Sequence, residues 1–153
     1  MTTPEERLAE LGRSVPSVVP PVAAYVPAVR SGSLVFTAGQ VPMRDGELVA
    51  TGKVGGDVSV EQGVECAQQC ALNALAAVKA EVGELASVRR VVKAVVFVAS
   101  TTDFTGQPGV ANGASELLAA AFGDAGVHAR SAVGVASLPL DSPVEVELVV
   151  EVD

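Results

Sequence analysis

The chain contains few of the side chains on which metal and redox sites depend. Its 153 residues include one histidine, two cysteines and no tryptophan. Cys66 and Cys70 lie four residues apart in a predicted helix, so their side chains point the same way. Two thiols and one distant histidine fall short of the four ligands of a structural zinc site. We therefore expect no metal site, and we interpret the cysteines as small buried residues.

Positive charge is also scarce, since 10 lysines and arginines stand against 18 aspartates and glutamates, for a formal net charge of −8. Binding to nucleic acid or to anionic lipid needs a basic surface, so we expect neither a nucleic-acid nor a membrane partner. No apolar run approaches the ~20 residues that span a bilayer. The first residues, MTTPEERLAELG, lack the basic and apolar segments of a secretory signal, so we expect a cytoplasmic protein.

Apolar residues are abundant by contrast. They make up 49% of the chain, whereas charged residues make up 18%. The length is that of one domain, and a domain of this size leaves much of its surface in water. We therefore expect that copies of the chain cover part of one another's surface.

Periodicity and capping signals predict two main helices and one short helix. Ser59, with Gln62 three residues on, forms a capping box that starts a helix over 60–82, and Gly83 ends it. The second main helix is predicted over 110–122, ending at Gly123. The short helix is predicted over 5–11, ending at Gly12.

Strands are predicted over 24–30 and 33–38, joined by a tight hairpin at Ser31 and Gly32, and over 48–50 and 90–100. Two further strands are predicted between His128 and Val152. The order β-β-(β)-α-β-α-β-β indicates an α+β protein with a mixed sheet and both main helices on one face. The other face is left bare, which is the physical reason to expect oligomerisation.

The C-terminal quarter, HARSAVGVASLPLDSPVEVELVVEV, carries the most informative polar residues. Arg130 opens its first strand, and Glu145 and Glu147 share one face of its second. An arginine fork suits a carboxylate, and a glutamate can act as a general base on water. Plainer interpretations stay open: Arg130 as an ion-pair residue at a surface or interface, and the glutamates as a solvated strand face. His128 is interpreted as structural or exposed.

Seven segments together form a specific pattern: AAYVPAV, TAGQVP, ALNALAAVKAEVG, VFV, VANGASELL, ARSAVGVASLP and VEVELVVEV. This pattern resembles the RidA/YjgF family of reactive-intermediate deaminases over nearly the whole chain from residue 21. The resemblance implies an N-terminal extension over 1–20 and a single RidA/YjgF-like domain over 21–153. It also implies a chorismate-mutase-like fold and a homotrimer, in which three sheets form a central barrel and three sites lie between subunits.

The resemblance assigns roles to five residues. Arg130 matches the arginine that binds the substrate carboxylate, and Glu145 matches the glutamate associated with the hydrolytic water. Tyr25, in the first predicted strand, and Asn112, before the second main helix, match positions that line the same cleft. Gly39 lies at a close backbone turn beside it. Plainer interpretations are that Tyr25 only packs and that Asn112 only caps the helix.

Two positions depart from the family's pattern. Ala38, a candidate substrate-binding position, stands where family members often have serine. Ala132 stands where they often have cysteine. The expected pocket therefore lacks a hydroxyl and a thiol.

The implied reaction is hydrolytic deamination of 2-imino or 2-enamino acids to 2-keto acids and ammonia, without a cofactor. A positioned water attacks the imine carbon, and the glutamate takes a proton and later returns it to the departing nitrogen. Two alternatives stay open. One is a non-catalytic trimer that binds a small carboxylate, and the other is a different C–N hydrolase of a catabolic pathway.

If the last two strands form a simple hairpin, their pairing sets the distance between Arg130 and Glu145. Arg130 would then lie opposite about Glu151, and Glu145 would be ~20 Å away at about 3.3 Å per residue. One subunit would fail to bring the arginine and the glutamate together. A neighbouring subunit would then supply the missing partner.

Overall fold

The computed structural model describes residues 1–21 and 23–153, which hold three α-helices and seven β-strands. None of the described helices is long and apolar enough to cross a membrane. The helices are α1 (Pro4–Glu10), α2 (Val60–Val82) and α3 (Gln107–Phe122). The strands are β1 (Ala28–Ser31), β2 (Leu34–Thr37), β3 (Met43–Arg44), β4 (Glu47–Leu48), β5 (Val88–Ala99), β6 (Ala129–Val135) and β7 (Val144–Val152).

Five strands form one mixed sheet in the order β1-β2-β7-β5-β6, and β3 pairs with β4 in a separate ladder. Neighbouring strands of the large sheet are antiparallel, except that β5 and β6 run parallel. The helices α2 and α3 pack against each other and against one face of this sheet. The predicted α+β class, mixed sheet and common face for the two main helices are therefore confirmed.

The last two strands do not pair with each other, so the condition of a simple hairpin is not met. β5 lies between β6 and β7. The cause is the crossover through α3, which returns the chain to the starting end of β5, so that β6 runs parallel to β5. β7 then takes the antiparallel position between β5 and β2. This register places Arg130 beside Ala94 and Glu145 beside Phe97.

Alternation along β7 separates the core from the open face of the sheet. Val144, Val146, Leu148 and Val150 are buried in the core, on the side of the sheet that α2 covers. The residues between them point to the opposite face because successive side chains of a strand alternate. The glutamates of β7 therefore all lie on the face that the helices leave uncovered.

Both cysteines belong to the core, as predicted. Cys66 and Cys70 are buried in α2, and the Cys70 Sγ donates to the Val144 carbonyl at 3.5 Å. Burial raises the pKa of the Cys66 thiol to about 11, and it raises the pKa of the Cys70 thiol well above its ordinary value. Both thiols therefore stay protonated at neutral pH.

The capping box of α2 is confirmed. The Ser59 hydroxyl accepts from the Gln62 amide at 3.1 Å, and the Gln62 side chain accepts from the Ser59 amide at 2.9 Å. These two bonds satisfy amide groups that the first turn of a helix leaves unpaired. The observed bounds of α2, 60–82, are the predicted ones.

The short helix α1 packs onto the rest of the molecule. Its Leu8 is fully buried, and the Arg7 guanidinium donates to the Ala121 carbonyl of α3 at 3.4 Å. The Glu5 carboxylate lies 3.1 Å from the Lys79 ammonium of α2. Residues before the family-like segment thus contribute to the core.

The first strand begins later than predicted. β1 starts at Ala28 rather than near residue 24, and Tyr25 lies in a bend before it. Pro27 explains the difference, because it has no N–H to donate to a neighbouring strand. The strands predicted at 33–38, 48–50 and 90–100 agree with the structure to within two residues at each end.

The helix α3 begins earlier than predicted. It starts at Gln107 rather than at 110, with Gly106 at the N-cap position. Pro108 fits the first turn, where a missing N–H costs no hydrogen bond. Asn112 therefore lies inside α3, and the predictions that it precedes or caps the helix are wrong.

The two main helices approach each other closely at Gly113 of α3. A Cβ added there would overlap the Val64 carbonyl of α2 and would lie 3.1 Å from the Val64 Cγ1. A Cβ added at Gly109, one turn earlier on α3, would have nothing within 4 Å. The absence of a side chain at 113 thus permits the contact that builds the helical layer.

We expect Gly113→Ala to lower the free energy of unfolding by about 1–3 kcal/mol, because the helices must move apart to admit a methyl group. The matched control, Gly109→Ala, should raise it by up to about 1 kcal/mol through helix propensity. Urea unfolding followed by circular dichroism measures both. Equal effects of the two substitutions would contradict the proposed role of the close contact.

Candidate active site

Four candidate residues line one cavity of about 460 Å³: Tyr25, Ala38, Gly39 and Glu145. The lining is otherwise mostly apolar and includes Leu140, from the turn that precedes β7. The cavity lies at the edge of the open face, where the bend before β1, the end of β2 and the start of β7 meet. The structure thus brings together four of the six residues singled out in the sequence.

Backbone hydrogen bonds place the end of β2 beside the start of β7. The Gln40 amide donates to the Val146 carbonyl at 2.8 Å, and the Val146 amide donates to the Gln40 carbonyl at 3.0 Å. The Ala38 amide donates to the Pro27 carbonyl at 2.8 Å. These bonds fix residues 38 and 39 against the second residue of β7, Glu145.

Gly39 is in direct contact with the Glu145 side chain. A Cβ added at Gly39 would overlap the Glu145 carboxylate and would lie 2.8 Å from its Cδ. The glutamate therefore occupies the space that a side chain at 39 would fill.

The Glu145 carboxyl is partly buried, and its pKa is raised above its ordinary value. Desolvation is the larger cause, and the negative charge of Glu147 on the same strand face adds to it. A raised pKa makes a carboxylate a stronger base. The group is therefore suited to accept a proton from water.

Arg130 lies elsewhere, at the edge strand β6. Its Nη1 donates to the Asn112 Oδ1 at 2.8 Å and to the Ser115 Oγ at 3.2 Å, and its Nη2 donates to the Pro108 carbonyl at 3.4 Å. All three partners belong to α3. Arg130, Ser115 and His128 also line a cavity of about 330 Å³.

The sheet separates Arg130 from Glu145 within one chain. Arg130 is level with Ala94 and Leu148, which are buried beneath the helices, whereas Glu145 is level with Phe97 on the open face. The two residues are thus on opposite faces, two strand spacings or about 10 Å apart across the sheet. The two groups are therefore separated by the sheet itself, and the distance along a simple hairpin does not apply.

Sequence reasoning missed Ser115 as a partner of Arg130 and set His128 aside. Ser115 lies three residues after Asn112, so the two share a helix face. His128 lies two residues before Arg130, the spacing that puts side chains on one face of a strand. Both spacings could be read from the sequence once a helix and a strand had been predicted there.

In the described residues, 1–21 and 23–153, no group of three or more histidine, cysteine, aspartate or glutamate side chains is placed to hold a metal ion.

We expect Gly39→Ala to displace the Glu145 carboxylate with little loss of stability, below about 1 kcal/mol, because the far end of a flexible side chain can move aside. A crystal structure of the variant and its urea unfolding curve measure the two effects. Gly56→Ala is the control, since a Cβ there would make no contact closer than 3.4 Å. An unmoved Glu145 in the Gly39→Ala structure would contradict the contact.

A family model for Endoribonuclease L-PSP matches residues 16–152 of the chain. Protein TCP17 from Trypanosoma cruzi is 43% identical over 147 residues, which cover 95% of this chain and 92% of that protein. A 2-iminobutanoate/2-iminopropanoate deaminase from Dermatophagoides farinae is 32% identical over 142 residues, covering 92% and 94%.

Among solved structures, the protein Atu1372 from Agrobacterium tumefaciens, whose function is unknown, has a TM-score of 0.93 at 47% identity. The match covers 98% of this chain and 92% of that chain. The sequence match to Protein TCP17 and the structural match to Atu1372 each cover almost the full length of this chain. The chain therefore belongs to the Endoribonuclease L-PSP family, the RidA/YjgF proteins.

Proposed function

We propose that the protein hydrolyses 2-imino acids to 2-keto acids and ammonia at a site shared between two copies of the chain. One copy supplies the Arg130 half and the next supplies the Glu145 half. The observation that carries this proposal is the position of the two groups on opposite faces of one sheet. The similarity to a 2-iminobutanoate/2-iminopropanoate deaminase supports the reaction class.

The Arg130 half binds the substrate carboxylate. A guanidinium is always charged, and its planar fork matches a carboxylate in a bidentate arrangement. The bonds to Asn112 and Ser115 hold the group in one orientation before substrate arrives. Such preorganisation lowers the entropic cost of binding.

The Glu145 half activates water. The Glu145 carboxylate takes a proton from the water as the water oxygen bonds to the imine carbon, and it returns this proton to the nitrogen, giving a tetrahedral carbinolamine. Glu145 then takes the hydroxyl proton of the carbinolamine and passes it to the amino nitrogen, so that the C=O bond forms as the C–N bond breaks and ammonia leaves. The raised pKa of Glu145 favours both transfers, because its protonated form is accessible closer to neutral pH.

The cavity beside Glu145 suits a substrate with an apolar side chain. Its walls include Pro27, Val41 and Leu140, and Ala38 offers no hydroxyl where family members often have serine. A small aliphatic side chain would remove apolar surface from water at this wall. Glu145 is the only charged side chain in the described lining, so a negatively charged substrate side chain would meet no opposite charge there.

The open face of the sheet supports the proposed oligomer. Val29, Phe36 and Val133 are 53%, 44% and 43% exposed on the edge strand β1, its neighbour β2 and the other edge strand β6. Large exposed apolar residues in one surface mark an interface. A ring of three copies, as the family resemblance implies, buries these faces together and joins unlike halves of the site at each interface.

A non-catalytic trimer that binds a small carboxylate is the second candidate. It is favoured by the alanines at 38 and 132, which remove a hydroxyl and a thiol from the family's pattern. Hydrolysis of RNA, which the family's description implies, is the weakest candidate, because the net charge of −8 repels phosphate.

The test is a trapping assay. Imino acids are generated by an amino-acid oxidase, and their disappearance is followed in competition with semicarbazide. We expect Arg130→Ala to raise KM about a hundredfold by removing charge-assisted hydrogen bonds. Glu145→Gln should lower kcat about 10²- to 10⁴-fold by removing the base. The control Arg89→Ala, which removes an exposed arginine paired with Asp153, should change neither.

Two results would contradict the proposal. Activity that survives both substitutions would remove Arg130 and Glu145 from the site. Wild-type protein that binds 2-keto acids without accelerating hydrolysis of any imino acid would favour the binding module instead.

A further inference from the structure

A chain of hydrogen bonds leads from Arg130 to the single histidine of the protein. The His128 Nδ1 lies 2.6 Å from the Gly126 carbonyl, and the His128 Nε2 lies 2.9 Å from the Ser115 Oγ. A carbonyl only accepts, so Nδ1 carries the proton of the neutral ring and Nε2 is the acceptor. The Ser115 hydroxyl therefore donates to His128, while its oxygen accepts from the Arg130 Nη1.

The bond to His128 fixes the orientation of the Ser115 hydroxyl. A serine hydroxyl in a helix can turn its single hydrogen toward a carbonyl of the preceding turn. The His128 Nε2 takes that hydrogen instead, so a lone pair of the Ser115 oxygen remains directed at Arg130. His128 thereby fixes Ser115, and Ser115 in turn fixes the guanidinium.

The bonds also determine which donors of Arg130 stay available. Both hydrogens of Nη1 are used, one by Asn112 and one by Ser115, and one hydrogen of Nη2 points to the Pro108 carbonyl. Within the described chain this leaves the Nε hydrogen and one Nη2 hydrogen. Two donors are the number that a carboxylate takes in a bidentate pair.

We propose that Ser115 and His128 are positioning residues, which orient the Arg130 guanidinium so that its remaining donors face the substrate carboxylate. The proposal rests on the proposed function of Arg130 and deepens it. Neither residue touches the reacting atoms. Their effect is on substrate binding, through Arg130 alone.

The test compares removal of each partner with its conservative replacement. Ser115→Ala and His128→Ala should each raise KM for imino acid about tenfold with kcat nearly unchanged, the pattern of a lost binding interaction. Ser115→Thr keeps the hydroxyl, and His128→Gln keeps an acceptor, so both should restore KM to within about threefold of wild type. Ser87→Ala is the matched serine control, because it removes only a local bond to the Glu84 carbonyl.

A second readout does not depend on turnover. Binding of 2-oxobutanoate, measured by calorimetry, should weaken about tenfold in Ser115→Ala and His128→Ala, in step with KM. Thermal unfolding and the oligomeric state are measured on the same samples. An increase in KM that follows a loss of folded protein, and is not restored by Ser115→Thr or His128→Gln, would overturn the proposal in favour of a structural role.

The variant Arg130→Ala separates failure of this inference from failure of the proposed function. If Arg130→Ala weakens binding and the Ser115 and His128 variants do not, the positioning role is overturned and the function stands. If Arg130→Ala has no effect, or wild-type protein neither binds 2-oxobutanoate nor accelerates hydrolysis, both are overturned.

Discussion

The parallel pairing of β6 with β5 is the constraint from which the layout of the candidate site follows. Because α3 carries the chain back to the start of β5, β6 becomes an edge strand whose helix-facing side chains meet α3. Arg130 is thereby held by residues of that helix. β7 enters the sheet on the other side of β5, and its alternation sends Glu145 to the opposite face. One crossover thus divides the two charged groups.

Local signals in the sequence were sufficient for most elements. The capping box of Ser59 and Gln62 and the alternation along the last strand predicted α2 and β7, because both depend on neighbouring residues. The hairpin of β1 and β2 was predicted from Ser31 and Gly32, but the partners of β6 and β7 were not, since they depend on where α3 returns the chain. The predicted helix begins two residues after Pro108, whereas the structure places Pro108 in the first turn of α3, where its missing N–H costs no hydrogen bond. The link from Arg130 through Ser115 to His128 was not predicted, because it depends on the side of β6 that faces α3.

Because Arg130 and Glu145 lie on opposite faces of one sheet, the proposed reaction depends on the assembly of two chains. A half-site with Glu145 alone has a base and an apolar wall but no cation for a carboxylate. The Arg130 half would supply the cation for the substrate carboxylate but not the Glu145 carboxylate, which lies on the opposite face of the sheet. The uncovered sheet face, whose apolar residues favour association, lies next to the Glu145 cavity. Association would then be the step that completes the site, so that a separated chain would fold without being active.

Complementation between two inactive variants tests this sharing most directly. Chains with Arg130→Ala and chains with Glu145→Gln are co-expressed in equal amounts and purified together by two different affinity tags. If each site takes its arginine from one copy and its glutamate from the next, every ring of three that carries both tags has one intact site, so the mixed oligomers should show about one third of wild-type activity. If both groups act within one chain, the mixed oligomers stay as inactive as either variant alone, and the shared site is wrong.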